Sequence, residues 1–404
     1  MYNIRELKPD LFWVGGVDRR LALFENMFPL PNGITYNSYL IRDEKTALLD
    51  TTDSSISRQF IENVQAALAG RTLDYLVINH MEPDHCANID ELCLRYPELK
   101  LVGNKKTFQL IRQFYELDLT GRTIEVKEWD ELQLGKHSLT FGFAPMVHWP
   151  EVMFTYEQTE GWLFSADAFG SFGALAGNLF ADETDFDQLY LDESRRYYCN
   201  IVGKYGVQVQ NALKKFADKP IKMILPLHGP IWREKLAYFL DKYQHWSTYQ
   251  PEKAGIVLVY ASMYGNTENA VDLLANQLAQ RGVADLRVYD LSKTQASYII
   301  ADAFKYSHLV VASPTYNSQL YYGMENLLRE MVALNLRGRK TAILANGSWA
   351  PQAQRYMTEL LGSMKNTELL AEPVIIHSGV KAEQRQQLEA LADTLAASVK
   401  AVAL

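Results

Sequence analysis

Between residues 79 and 89 the chain reads NHMEPDHCANI, so that His80, Glu82, Asp84 and His85 bring two imidazoles and two carboxylates close together in sequence. Nitrogen and oxygen donors at this density point to a metal ion, because imidazole and carboxylate ligate borderline and hard divalent cations. Three further candidates are His148 in FAPMVHWPEVMF, Asp167 in GWLFSADAFGS and His228 in MILPLHGPIW. Each follows an apolar run that reads as a strand, as the first cluster follows LDYLVI. Loops at the carboxyl ends of strands are where α/β proteins assemble their sites. All these ligands can therefore converge on one edge. A lone histidine is more often structural than ligating. His137, His245, His308 and His377 have no such companions and are read as structural or surface residues.

A second chemical motif lies in the other half. YASMYGNTENAV (260–271) follows a β-branched run, GIVLVY, and leads into a helical pattern. A loop there has the place of a phosphate site, since the free N–H groups and dipole of a helix start attract an anion. Ser262, Asn266 and Thr267 add polar donors and Gly265 allows close approach. The loop carries neither GK[ST] nor GxGxxG, which argues against a triphosphate loop and against a dinucleotide fingerprint. Two more loops, ASPTYNSQL (312–320) and NGSWAPQAQ (346–354), follow the third and fourth strands and offer Tyr316 and Trp349 as aromatic surface.

These motifs must be held by elements that can be read from pattern. In residues 254–404, candidate strands at 255–262, 286–290, 308–313, 340–346 and 373–377 alternate with helical periodicity. That grammar predicts a doubly wound parallel sheet. Residues 1–250 are richer in β. TYNSYLIRDEKTALLDTT reads as a hairpin, further strands lie in LDYLVINH, KLVGN, RTIEVKEW, HSLTFGFAP, GWLFSAD and KMILPLHG, and helices are expected at 54–69 and 105–116. The boundary falls in the polar stretch around Pro251.

Composition narrows the class. The 404 residues carry a formal net charge of −8, and no basic stripe is present. Nucleic acid and anionic membrane, which reward clustered Lys and Arg, are not expected partners. The start lacks the apolar core of a signal peptide and no apolar run approaches a bilayer span. Cys86, Cys93 and Cys199 form no CxxC pair and no disulfide framework. A cytoplasmic protein is the expectation.

The first cluster resembles a known signature. HxHxDH marks the metallo-β-lactamase fold, and HxExDH, as His80, Glu82, Asp84 and His85 stand here, is the variant found in flavodiiron proteins, the A-type flavoproteins. His148, Asp167 and His228 follow in that family's order. The carboxylate in second place has a physical reading. It adds a hard, anionic ligand that stabilises the higher oxidation state of a redox metal, whereas zinc has no redox chemistry to tune. The second half resembles flavodoxin, with Ser262, Gly265, Asn266 and Thr267 matching its phosphate motif and Met263 and Tyr264 departing from it.

The resemblance implies an α/β chain of two domains: a metallo-β-lactamase-like αββα diiron domain over 1–250 and a flavodoxin-like domain over 254–404 with strand order 2-1-3-4-5. It implies two non-haem irons. His80, Glu82 and His148 would hold one; Asp84, His85 and His228 would hold the other; Asp167 would bridge. It implies FMN on Ser262, Met263, Tyr264, Gly265, Asn266 and Thr267, on Pro314, Thr315, Tyr316 and Asn317, and on Asn346, Gly347, Ser348 and Trp349. The implied activity is reduction of O2 to water, of NO to N2O, or both. Electrons would come from a separate donor, a rubredoxin-like protein or a reduced soluble cofactor, and pass through FMN. A head-to-tail homodimer or a dimer of dimers would bring flavin to iron. Tyr197 and Tyr198 are candidates for supplying protons. The rival readings are a dizinc hydrolase with a flavodoxin-like regulatory domain, and a flavin electron carrier that performs no catalysis.

Overall fold

In the computed structural model, which describes residues 1–402, the chain forms two compact units. One comprises Met1–Tyr198 with Val207–Tyr243, the other Cys199–Gly206 with Gln244 onward.

The first unit is built on two sheets. A seven-stranded sheet runs Arg5–Lys8, Leu11–Trp13, Tyr39–Arg42, Thr46–Leu49, Tyr75–Val77, Lys100–Gly103, Thr123–Glu125 in spatial order. The expected hairpin is there, with Tyr39 opposite Leu49 and Arg42 opposite Thr46. Helices Ser57–Leu68, Ile89–Arg95 and Lys105–Phe114 cover one face. Phe60, Val64, Leu92, Phe108 and Ile111 close a core with Leu40, Leu48, Leu76 and Leu101. A five-stranded sheet runs Glu131–Gln133, Ser138–Phe143, Met153–Glu157, Trp162–Phe164, Met223–Leu225. Tyr39 of the first sheet meets Phe164 of the second with ring centroids 5.5 Å apart, and Phe216 of helix Gly206–Phe216 packs on Phe154. The layers are thus helix, sheet, sheet, helix. The strand Met153–Glu157 was not among the expected elements. VMFTYE is a short continuous apolar run, which periodicity alone assigns to neither class.

The second unit holds the expected parallel sheet. Leu286–Asp290, Lys253–Tyr260, Tyr306–Tyr316 and Lys340–Asn346 lie side by side in the order 2-1-3-4. The fifth position is shared by two short segments, Glu368–Leu369 and Val374–Ile376, which both pair with Lys340–Asn346. Helices Asn266–Gln280 and Ala382–Lys400 pack their apolar faces on the sheet through Leu274, Leu278, Leu391 and Leu395. No helix among the described residues is long and apolar enough to cross a membrane.

One buried cation ties this unit together. Arg339 is 1% exposed and donates to the carbonyls of Ala303, Phe304, Tyr249 and Arg337 at 2.7–2.8 Å. Burial disfavours its charge and brings its pKa down to about 10. Arg339→Met keeps the stem and strands those carbonyls, at roughly 1–3 kcal/mol for each that water does not reach. Denaturant unfolding should show a loss of at least about 3 kcal/mol on that basis; a loss under about 1 kcal/mol would contradict the role.

Candidate metal centre and flavin cavity

Strand Tyr75–Val77 ends in a loop that presents His80 and Glu82, and the chain then turns directly into a short helix, Pro83–Cys86. Asp84 and His85 therefore sit on a helical turn rather than in the loop expected from sequence. His148 lies in the loop between Ser138–Phe143 and Met153–Glu157, Asp167 follows Trp162–Phe164, and His228 follows Met223–Leu225. All seven side chains are buried.

They meet as two groups. His80, Glu82, His148 and Asp167 form one; Asp84, His85 and His228 form the other. In the first, Glu82 Oε2 lies 3.2 Å from His80 Nε2 and 3.0 Å from His148 Nε2. Asp167 joins the groups with its two oxygens. Oδ2 is 3.2 Å from His80 Nε2 and 3.1 Å from His148 Nε2, while Oδ1 is 3.1 Å from His85 Nε2 and 3.6 Å from His228 Nε2. Asp84 Oδ2 is 3.2 Å from both His85 Nε2 and His228 Nε2, and these two nitrogens are 3.0 Å apart. His85 faces the others.

The donor set fits cations. Both oxygens of Asp84 and Oδ1 of Asp167 are buried with no hydrogen-bond partner among the described residues. Such atoms are costly unless something positive lies among them. Ligand atoms about 3 Å apart around a common point match the edges of a polyhedron with metal–ligand bonds of about 2.0–2.2 Å. The electrostatics agree. Burial raises the Asp167 carboxyl, but the His85 and His80 charges and the His148 hydrogen bond outweigh it and hold the group well below the carboxylate range. Glu82 is likewise lowered against its burial, by His148 and His80. Burial works against the His148 imidazolium, yet Asp167 and Glu82 push its pKa up to about 9. The cluster attracts positive charge.

Residues that sequence reasoning did not single out aim the ligands. Glu151 Oε1 accepts from His80 Nδ1 at 2.8 Å and from Met81 N at 2.9 Å. Burial raises the Glu151 carboxyl, and its bonds to His80 and Met81 more than reverse that. The Thr35 carbonyl is 2.9 Å from His228 Nδ1. Asp50 accepts from Asn79 N, Asn79 Nδ2 and His80 N, fixing the start of the ligand loop. A signal for Glu151 was present: it stands in the same HWPE segment as His148. Partners of this kind fix tautomer and ring direction. Glu151→Ala should weaken metal binding by about 10- to 100-fold in a metal titration, with Glu151→Gln intermediate. An unchanged affinity in both would remove Glu151 from the site.

Tyr197 also borders the centre. Its ring centroid is 5.4 Å from that of His228 and 5.0 Å from that of Phe172. Its buried hydroxyl has no hydrogen-bond partner among the described residues. Burial and the charges of Asp167, Asp84 and Glu82 hold that hydroxyl protonated. A Cβ on Gly170 would come within 2.9 Å of this ring, so glycine there is what lets Tyr197 in. Tyr198 instead packs on Tyr243, with centroids 5.1 Å apart. Of the histidines set aside, His137 pairs with Glu157 at 3.0 Å, His308 lies between Ser307 and Ser398, and His377 is exposed.

In the second unit, every residue named above from the three loops lines one cavity of about 300 Å³, Gly265 excepted. Gly265 has φ +86° and precedes helix Asn266–Gln280, whose first N–H groups have no intrahelical partner. Ser262 Oγ accepts from Gly265 N at 3.1 Å, holding the loop closed. Thr315 Oγ1 accepts from Gln352 N and Ala353 N at 2.9 and 3.1 Å, where the next helix begins. Ser318 and Ser378 also line the cavity and were not foreseen. Ser378 reaches it through the fold, its Oγ donating to Ser348 Oγ at 2.9 Å. Tyr316 and Trp349 stand 43% and 69% exposed, free to cover a planar ligand. A helix start, a polar loop and aromatic walls on one cavity fit a flat, phosphorylated group.

Comparison with known proteins agrees with this arrangement. Residues 34–229 match the family model described as ODP family beta lactamase. A nitric oxide reductase of Moorella thermoacetica is 32% identical over 366 residues, covering 90% of each chain. Among solved structures, the rubredoxin oxygen:oxidoreductase of Desulfovibrio gigas superposes with a TM-score of 0.93 at 26% identity over 99% of both chains. The flavodiiron protein of Giardia intestinalis shares the fold, with a TM-score of 0.92 at 24% identity over 98% of both chains. Likeness at this level, over nearly the full length of both partners, is a relationship of family, and the chain belongs to the flavodiiron proteins.

Proposed function

We propose that this protein is an oxidoreductase that reduces O2 to water, NO to N2O, or both, drawing electrons from a donor through FMN to two non-haem irons. The observation that carries the reading is the double ligand cluster sharing Asp167, with Glu82 as an extra anionic oxygen. His80, Glu82 and His148 would hold one iron, Asp84, His85 and His228 the other, and Asp167 both. Bound there, redox-active irons would supply electrons and open positions for a diatomic, and FMN in the cavity at the phosphate loop would feed them. The relatives' names point the same way: a nitric oxide reductase and a rubredoxin oxygen:oxidoreductase.

The chain's own residues set the conditions. Glu151 and the Thr35 carbonyl aim the His80 and His228 rings. Phe24 and Phe172 pack beside His228 and Tyr197 and exclude water. The Tyr197 hydroxyl, kept protonated, is left with a hydrogen bond to donate beside the site. In the second unit, the Ser262–Thr267 loop takes the phosphate, and Tyr316 and Trp349 face the ring. The donor is a separate rubredoxin-like protein or a reduced soluble cofactor, in the cytoplasm. The working form is a head-to-tail homodimer, or a dimer of such dimers, in which one subunit's flavin serves its partner's metals.

The test is composition. Purified protein should carry close to two irons and one FMN per chain, the flavin identified after acid release. Stoichiometric zinc with esterase or phosphodiesterase activity would overturn the reading in favour of a hydrolase.

A further inference from the structure

Behind the five-stranded sheet lies an unfilled space. Helix Gly206–Phe216 and the start of helix Leu236–Thr248 cover the outer face of that sheet and leave a cavity of about 200 Å³ against it. Phe154, Leu163 and Ile224 form its floor, and Ala212, Leu213 and Leu240 its walls. Alternation along the strands explains the floor. Thr155 bonds Asn79 and Phe164 meets Tyr39, so both point between the two sheets, and their neighbours Phe154 and Leu163 point the other way. Eleven of the twelve side chains that line the cavity are apolar. Lys219 is the twelfth, and its ammonium rests over the rings of Trp129 and Tyr156, 4.7 and 5.7 Å from their centroids.

The direction of the strands sets where the cavity leads. Trp162–Phe164 and Met223–Leu225 run parallel. Lys219 and Ile221 precede Met223 and mark the amino ends of these strands. Phe169 follows Trp162–Phe164 in the loop that carries Asp167, and marks the carboxyl ends, where His228 also lies. The cavity therefore reaches from the far edge of the sheet to the loop of the shared carboxylate. Phe169 has φ +70°, uncommon for a bulky residue. Its ring lines the cavity and packs on Tyr243 with centroids 4.3 Å apart, while Asp167, two residues earlier, faces the four clustered histidines.

Unfilled apolar volume destabilises a protein in proportion to its size. Apolar walls give water few partners, and such cavities take apolar guests such as xenon. O2 and NO are small and nearly apolar, so leaving water for such a space favours them. The same walls turn away ions and charged reductants.

We propose that this cavity binds the diatomic substrate and delivers it along the sheet, past Phe169, to the metal centre. The inference rests on the reductase reading above and adds where the gas is gathered.

Xenon is the first probe, because it reports the site without metal or turnover. Crystals of the protein pressurised with xenon should hold it between Phe154, Phe169 and Ala212. Leu213→Trp and Ala212→Leu fill the space from the helix side, and each should lose the xenon. Ala212→Leu is the smaller change and serves if Leu213→Trp does not fold. In protein loaded with iron and FMN, each should lower kcat/KM for the gas consumed by about tenfold and change kcat at saturating gas by less than about twofold, the pattern of impaired substrate binding rather than impaired chemistry. Metal content and flavin reduction should match wild type, which a general loss of structure would not leave intact. An empty cavity in the pressurised wild-type crystals would overturn the proposal, as would an unchanged kcat/KM in a variant that has lost its xenon. Xenon in the cavity of a loaded wild type that consumes neither gas would sink the reductase reading and this proposal with it, a failure distinct from an empty cavity.

Discussion

Asp167→Ala should end gas reduction while leaving the flavin fully reducible. Among the described residues, Asp167 is the side chain whose two oxygens face different groups, Oδ2 toward His80 and His148 and Oδ1 toward His85 and His228. Removing it leaves four imidazoles converging on a buried space with less negative charge to offset a pair of cations. Loss of a group that merely supports a ligand costs about 10- to 100-fold in affinity or activity. Loss of a shared ligand should exceed that, so turnover should fall by more than about a hundredfold on the same scale. Asp167→Asn should fall nearly as far, because one amide oxygen cannot carry negative charge to both groups. Metal analysis and gas electrodes read the effect, and rapid-mixing absorbance follows the flavin. Two tightly bound metals with more than a tenth of wild-type turnover in Asp167→Ala would contradict the bridging role.

Asn266→Asp should empty the flavin cavity. Asn266 is exposed at the first position of helix Asn266–Gln280 and lines the cavity beside Ser262 and Thr267. The substitution keeps the shape and adds one negative charge where a phosphate dianion is to sit. At about 4 Å and an effective dielectric constant of about 20, a pair of unit charges interacts by about 4 kcal/mol, and exposure to salt reduces this. A net penalty of about 1.4–2.8 kcal/mol corresponds to FMN binding about 10- to 100-fold weaker. Flavin fluorescence quenching during titration of the flavin-free protein measures it. The metal content of the variant should equal that of wild type, because the seven clustered ligands lie in the other unit. An unchanged flavin affinity would mean that the phosphate does not sit at this helix start.

Much of this arrangement was legible from sequence because the clustered side chains follow local rules. His80, Glu82, Asp84 and His85 announce themselves by spacing, and His148, Asp167 and His228 each come shortly after a strand. The parallel sheet was legible from the alternation of strand and helix patterns, and Gly265 from its place after the first strand. What was not legible depends on contacts between distant segments. The Thr35 carbonyl meets His228 only after separate sheets have packed, and Asp50 meets Asn79 and His80 only once strands Thr46–Leu49 and Tyr75–Val77 have paired. The small hairpin of Leu23–Phe24 with Phe28–Pro29 was hidden for another reason: its turn is Glu-Asn, not the Asn-Gly or Asp-Gly pair that signals a hairpin, and its strands are only two residues long. The split fifth strand, Glu368–Leu369 and Val374–Ile376, is interrupted by Pro373, which cannot donate to a sheet.

The most direct test of the central claim is multiple-turnover gas consumption. Protein loaded with iron and FMN is supplied anaerobically with excess reductant and a catalytic amount of a redox mediator. O2 and NO are then followed on electrodes in separate runs at matched concentrations. The account predicts that at least one gas disappears over many turnovers, and that Asp167→Ala, tested beside it, consumes neither above the rate of the mediator alone. A fully loaded wild type that leaves both gases untouched would contradict it.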